Sequence, residues 1–522
     1  MKWTRLIAAP GLAGLVCGVI FTSNSVPPAR TQQAFRQAIT LTYIDTPSDS
    51  SNKVSLSGDP FSVGQLIGGQ FNVNSCQGGP TKVYTDQDWQ DGRPVLNDTF
   101  DDSNIKGADL GTSFDGELDG HRVLFFLPGD INNLNADNSM ALSHSGSPNH
   151  FLLRFLKETR GPNRGSTFLF GKGNHVPFNM GPDNNPQAGV SIAGENYVVF
   201  KTGHEKPGGV MDEFSFLAHF APTRSSLHGA WDIAPANILI PEAGARIISR
   251  NNDGGHFVEV ALVHHGDYVY MFGTGLYRNS AIYVARIPSK ANEGFPTNNF
   301  WTGIEPTQYF RGFLINGANV TPDWSETESD AIPLVDDQNV SVHGVDINVC
   351  ANPTVFCDPP CGQASPHACG PSVGNVSVQF ETSLGLWIMT FDGGRQKDCL
   401  GDPDQTHGIY FSYAKDPWGP WSTPQMIFNP ATDGGFGKFI YNPDDRCNPF
   451  ANVAPTGGPA GPALNPTHDN SCNTRGDAYG PFMIKRFNNV DSSGTTLSIY
   501  YTMSTFNPYT IVLMHSDFKI GY

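Results

Sequence analysis

The sequence is poor in charge, and poorest in positive charge. Only 16% of its 522 residues are Asp, Glu, Lys or Arg, and 32 basic side chains stand against 49 acidic ones, a formal net charge of −17. A chain so acidic has no positive footprint for phosphate, which excludes nucleic acid and gives no attraction to an anionic membrane surface. Long helical periodicity is missing, and so is the Ala, Leu, Glu and Lys excess of a helical bundle or coiled coil. Beyond the first residues no apolar run approaches the ~18 residues of a membrane span. There is no GxxxxGK[ST] loop, HExxH, GxSxG elbow or GxGxxG after a strand, so the common phosphate, zinc-protease, serine-hydrolase and dinucleotide signatures are absent. Nothing in the sequence requires a cofactor or metal.

What is abundant is glycine (57), proline (40) and aromatic residues (11%). That composition suits a turn-rich, aromatic-rich all-β protein rather than a disordered chain. Lys2 and Arg5 precede an apolar run from Leu6 to Phe21, and small polar residues follow from Thr22 to Ser25. This is the pattern of a secretory signal peptide over 1–25; the competing reading is an uncleaved single-pass anchor, for which the run is short against a ~30 Å hydrocarbon core. The remainder, 26–522, is expected to be one secreted, extracellular domain, monomeric and with no membrane association after cleavage.

Cysteine usage fits that compartment. After Cys17 come Cys76, Cys350, Cys357, Cys361, Cys369, Cys399, Cys447 and Cys472. An even count in a secreted chain points to disulfides, whose pairing the sequence does not give. Four of them crowd a Pro-rich loop ending in DPPCGQASPHACG. A zinc site using Cys357, Cys361 and His367 is the competing reading, with poorer ligand spacing. The sequons at Asn97, Asn319, Asn339 and Asn375 are compatible with glycosylated surface loops.

Short β runs carry tight-turn chemistry and form hairpins at 113–127, 189–202, 257–273, 376–391 and 480–503. Each is followed by one further β-prone run: FLLRFLK (151–157), FSFLAHFA (214–221), AIYVARIP (281–288), GIYFSYAK (408–415) and TIVLMHSD (510–517). Five repeats of one antiparallel order predict a five-bladed β-propeller with a Cys-rich loop insertion. Insertions fall at 289–370 and 429–477. A β-sandwich plus a second β domain is the competing architecture. AITLTYIDT (38–46) is a candidate to pair with the last blade and close the ring.

The first hairpin carries the chemistry. If Asp119-Gly120 is a two-residue turn, Leu118 opposes His121, and continuing that register sets Asp109 against Asp130. Opposed Cβ atoms lie ~4.5–5.5 Å apart, and two carboxylates so placed repel and raise one pKa. Paired carboxylates suit glycoside hydrolysis, one as acid on the leaving oxygen and one as base or nucleophile. The competing reading is that Pro128 ends the pairing and both are loop residues. His264-His265 places two rings on opposite faces of a strand, as structural or exposed residues. Trp418 and Trp421 in DPWGPW are expected to staple a blade edge.

DLG (109–111), PGD (128–130), FGTGLYRNSAIYVARIP (272–288), DPWGPWSTP (416–424) and STFNPYTIVLMHSDF (504–518) occur in this order. Together they resemble the endo-D-arabinanase family, glycoside hydrolase family 183, over roughly 100–518. The resemblance implies a five-bladed propeller that cleaves α-D-arabinofuranosyl linkages, with Asp109 and Asp130 as the catalytic pair and an arabinofuranose polymer as the partner. Ile131 replaces a threonine of the family pattern, and Asn375 stands where an acidic residue is expected. A glycan on Asn375 would block the propeller mouth, so either that sequon is unused or the site differs. Supporting residues are His256, Arg278, Asn507 and Tyr509, as hydroxyl-binding or stacking groups. A non-catalytic carbohydrate-binding propeller and a disulfide-bonded wall or adhesion protein remain open. So does a propeller glycosidase for α-L-arabinan or fructan, which would draw carboxylates from several blades, such as Glu259, Asp392 or Asp477.

Overall fold

The computed structural model describes residues 39–43, 64–67, 71–73, 82–84, 97, 105, 107–118, 120–133, 136–138, 140–155, 185–206, 210–220, 246–250, 255–275, 280–290, 299–316, 319–335, 373–393, 408–430, 433, 440, 477–506 and 510–521. The expected signal peptide, all nine cysteines, and Arg278, Asn507 and Tyr509 lie outside them.

All five expected hairpins form, each as the first two strands of its own sheet. Blade one opens with Asp109–Leu118 and His121–Asn133, blade two with Asn185–Ile192 and Glu195–Lys206. Blade three opens with Glu259–His265 and Tyr268–Thr274, blade four with Val376–Glu381 and Leu386–Gly393. In blade five the inner strand is broken, running through Asp477–Tyr479 and a bridge at Met483 onto Thr496–Phe506. The turns are those the sequence indicates. Gly120 and Gly266 take positive φ, and Ala193-Gly194 form a two-residue turn with both φ positive.

Packing shows why the five sheets make one ring. Adjacent blades each share a separate apolar core. Phe114 and Phe125 of blade one meet Val198 and Phe216 of blade two. Tyr197 and Val199 of blade two meet Phe257 and Met271 of blade three. Phe272 meets Trp387, Phe391 and Trp421 between blades three and four, and Ile388 and Phe411 meet Tyr501 and Phe518 between four and five. Phe126 and Phe151 meet Ile511 and Leu513, which joins blade five back to one. A strand covered on both faces is mainly apolar and buried along its length. Leu386–Gly393 and Gly408–Ala414 are accordingly buried at every position. The architecture is an all-β five-bladed propeller.

The ring is fastened as the sequence suggested. Thr40–Tyr43 pairs antiparallel with the last long strand, Thr510–Gly521, and Gly64–Ile67 pairs with that strand further along. Gln425 of blade four clamps this strap, accepting from the Tyr43 amide at 2.8 Å and donating to the Leu41 carbonyl at 2.8 Å.

Three expectations change. The third strand of blade one is Ala141–Ser143, and the run 151–157 supplies only the outer pair Arg154–Phe155. The reason lies in Asn97, whose side chain donates to the Phe151 carbonyl and accepts from the Leu153 amide, occupying backbone groups a ladder would need. Second, the segment 289–370 is not all insertion, because Gln308–Asn316 and Asn319–Ser325 complete blade three. Third, two sequons are not surface sites. Asn97 and Asn375 are buried, whereas Asn319 is exposed. The tryptophans pack as expected, Trp421 fully buried against Phe272 and Trp418 edge-on to Trp324.

Candidate functional site

The five inner strands run side by side around the axis and line a cavity of about 280 Å³. Thr112, Gln187, Leu262, Ser377 and Met483 each reach it from a different blade. The starts of these strands gather at one end of the axis. Buried polar side chains lie there: Asp109, Asn185 and Glu259 at the first positions of their strands, Asn375 just ahead of its strand, and Tyr479 at the end of Asp477–Tyr479.

Hydrogen bonds cross four of the five blade-to-blade junctions there. Lys201, on the second strand of blade two, donates to Glu259 Oε1 at 2.9 Å and pairs with Glu213 Oε1 at 3.1 Å. The other Glu259 oxygen accepts from Asn375 Nδ2 at 2.8 Å. The Asn375 amide donates to Asp392 Oδ1 at 2.7 Å, which also accepts from the Gly480 amide at 3.4 Å. Next to Gly480, the Tyr479 hydroxyl donates to Asp109 Oδ2 at 3.1 Å. Between blades one and two, Asn185 packs close against Gly129. A Cβ on Gly129 would come within 2.6 Å of Asn185 Oδ1, so glycine leaves the room Asn185 occupies.

Asp109 is set by a backbone irregularity. Leu118 does oppose His121, but the register slips between Leu110 and Thr112, and Asp109 pairs with Gly129. The expected opposition of Asp109 and Asp130 is therefore corrected by one position. The cause is a bulge in which Leu110 and Gly111 both take positive φ, 65° and 75°. The Thr502 hydroxyl approaches both bulge carbonyls, at 3.4 and 3.2 Å, and the Ser504 hydroxyl approaches that of Leu110 at 3.4 Å. Bulges beside active sites re-aim a side chain. Asp130 lies on the second strand by its backbone; its side chain is outside what is described.

Electrostatics single out Glu259. Burial raises its pKa from the ordinary value, and Glu213 and Asp392 add to the rise against the pull of Lys201. Burial alone would lower Lys201, but Glu259 and Glu213 outweigh it and hold the ammonium charged. One cation shared by two glutamates explains both directions. The lysine sees two anions, while Glu259 sees half a partner and two like charges.

His256 is half-buried in blade three. Its ring stacks on Tyr283 at 3.9 Å and 9°, its amide donates to Glu328, and burial lowers its pKa. Among the described contacts its ring serves packing within that blade. His264 and His265 are exposed, one beside the Ser289 hydroxyl and the other against Phe380. Among the described residues no group of three His, Cys, Asp or Glu could hold a metal ion. None of their helices is long and apolar enough to cross a membrane.

The sequence reading found Asp109, and named Glu259 and Asp392 only for a multi-blade chemistry. It missed Lys201, Glu213 and Tyr479 as members of the network. Aligning the repeats on the starts of the inner strands, rather than on the turns, would have shown a polar residue at or beside the start in every blade.

No known family matches the chain, and no curated protein matches it in sequence. Several solved structures share the overall shape at low identity. A putative hydrolase from Bacteroides ovatus ATCC 8483 is 12% identical with a TM-score of 0.38, over 81% of this chain and 87% of that one. A GH43 β-xylosidase/α-arabinofuranosidase from a compost microbial metagenome is 11% identical with a TM-score of 0.32, over 80% and 94%. An N-acetylgalactosamine deacetylase from F. plautii is 10% identical with a TM-score of 0.37, over 88% and 96%. Likenesses at this level assign no activity to this chain.

Proposed function

We propose that the protein is a secreted glycoside hydrolase acting on arabinofuranose polymers at the polar end of its propeller axis. The observation that supports this most is the burial of Asp109 and Glu259 at equivalent inner-strand starts of blades one and three. Glu259 is buried among the like charges of Glu213 and Asp392, an arrangement that costs a fold stability, so its presence argues for chemistry.

Glu259, whose proton affinity is raised, is the proton donor to the leaving oxygen. Asp109, which accepts from Tyr479, is the carboxylate that activates water or attacks the anomeric carbon. Water adds across the cleaved C–O bond, and both groups return to their starting protonation. Asp130, the partner expected from the first hairpin, stays a candidate for the second carboxylate. The register slip removes its direct opposition to Asp109, and the raised Glu259 favours a pair drawn from two blades. Arg278, Asn507 and Tyr509 remain proposed sugar contacts. The preference for D-arabinan comes from the motif resemblance.

Incubation with D-arabinan, L-arabinan and levan, followed by product sizing, tests the reading. Oligosaccharides from D-arabinan alone are expected. Products from L-arabinan or levan alone would move the substrate and keep the enzyme. No product from any of the three would overturn hydrolysis in favour of a binding propeller.

A further inference from the structure

Lys201 stands out among the buried charged groups. Its side chain is 11% exposed, and a lysine is seldom that buried unless paired. It comes from the second strand of blade two, opposite Asn185 on the inner strand, and reaches into blade three. Nothing in propeller packing asks for this, since the neighbouring core between these blades is apolar.

Its two partners differ in place. Glu213 belongs to the third strand of the same blade, opposite Gly203. Glu259 begins the inner strand of blade three. Glu213 therefore anchors the ammonium from behind, while Glu259 meets it from the axis side. Glu259 is gripped again by Asn375 Nδ2 from blade four, so each of its oxygens has a donor from a different blade. The charged groups facing Glu259 are Lys201 and Glu213 from blade two and Asp392 from blade four; Asn375 is uncharged.

We propose that Lys201 is a positioning residue for Glu259, fixing its carboxyl orientation and setting the pH at which it gives up its proton, with Glu213 holding the lysine in place. This rests on Glu259 being a working carboxylate, as proposed above. When Glu259 takes up a proton, Glu213 still balances Lys201, so the ammonium need not move. Two glutamates around one lysine thus let one of them cycle.

The test uses the full chain with Lys201→Met, Lys201→Arg and Glu213→Gln. Removing a cation at this distance should move the limb of the kcat/KM pH profile that belongs to Glu259 upward by about one unit or more. Glu213→Gln gives Lys201 wholly to Glu259, so the same limb should move down. Lys201→Arg should restore most of the turnover with a profile near wild type. A lysine that only fills space would shift neither limb, and unshifted profiles in Lys201→Met and Glu213→Gln overturn the proposal. Should Lys201→Met fail to fold, the near-isosteric Glu213→Gln still decides by the direction of its shift.

Should the wild type hydrolyse none of the three polymers, the functional reading fails by itself. The lysine is then judged by carbon-13 NMR of glutamate carboxyls, with Glu259 assigned through Glu259→Gln. Midpoints moving up in Lys201→Met and down in Glu213→Gln support it. Unmoved midpoints overturn it.

Discussion

Two non-glycine residues of the described chain hold left-handed backbone, and they sit at opposite ends of neighbouring inner strands. Leu110 (φ 65°) lies at the start of the blade-one strand, next to Asp109; Ala193 (φ 51°) follows the end of the blade-two strand. A Cβ in this region costs roughly 1–2 kcal/mol. For Ala193 the reason is local, because a two-residue hairpin turn of this hand needs positive φ at both positions. Its side chain is exposed and holds nothing. Leu110 is different. Its side chain is buried with Tyr479 and Phe482, and hydroxyls of blade five close on its carbonyl. Strain fixed by distant parts of the molecule, beside a buried carboxylate, is the kind that marks a site. The two ends of the propeller axis divide accordingly, into a turn face where irregularity is conformational and a strand-start face where it sets the place of a buried carboxylate.

The widest difference between the faces should appear in turnover. Asp109→Asn and Glu259→Gln should each lower kcat by on the order of 10²–10⁴, the usual worth of a positioned acid or base. Both should still bind the polymer on an affinity gel. Asp130→Asn made in parallel decides the pair. A loss as large as that of Glu259→Gln would return Asp130 to the catalytic role, and a loss under about tenfold would remove it. Next comes Leu110→Ala, which keeps the strained φ but gives up the packing on Tyr479 and Phe482. It should cost about 2–5 kcal/mol in denaturant unfolding. Turnover should fall as well, at a temperature where the variant is fully folded. Unchanged turnover would make the bulge a matter of packing alone.

Much of the fold could be read because its signals are local. Asp119-Gly120 and Gly266-Asp267 announce hairpins within a few residues, and the strap at 38–46 follows from a ring's need to close. The site was read only in part, since its geometry is made at long range. The register slip that separates Asp109 from Asp130 depends on Thr502 and Ser504, which lie 392 and 394 residues from Leu110. Asn375 and Glu259 are bonded across 116 residues. The sequon at Asn375 shows the same limit. Locally it is an acceptor, but its amide nitrogen is taken by Glu259 in the folded chain. Expression in a host that N-glycosylates should leave Asn97 and Asn375 unmodified and Asn319 occupied. Peptide mass spectrometry showing a glycan on Asn375 would break the network as described.

A smaller effect follows from Glu259 and pH. Burial makes its carboxyl hold a proton more tightly in the folded chain than in the unfolded one, where its ordinary value is 4.5. The stability it contributes is then complete below that value and is lost as pH rises through the raised folded value. Glu259→Gln cannot lose that proton. Unfolding free energy measured against pH should therefore fall more steeply for wild type than for Glu259→Gln above pH 4.5. Parallel curves would place the working proton elsewhere.

The smallest expected effect belongs to the turn face and is the control for all the others. Ala193→Asn creates Asn-Gly, the pair best suited to a turn with both φ positive, and asparagine tolerates the left-handed region better than alanine. Part of the local strain should be relieved, stabilising the protein by about 0.5–1 kcal/mol in denaturant unfolding. Turnover and its pH profile should not move, because Ala193 lies at the far end of its strand from Asn185 and the polar network. If this substitution changed turnover, strain on the two faces would be coupled through the blade-two inner strand, and the contrast between Leu110 and Ala193 would fail.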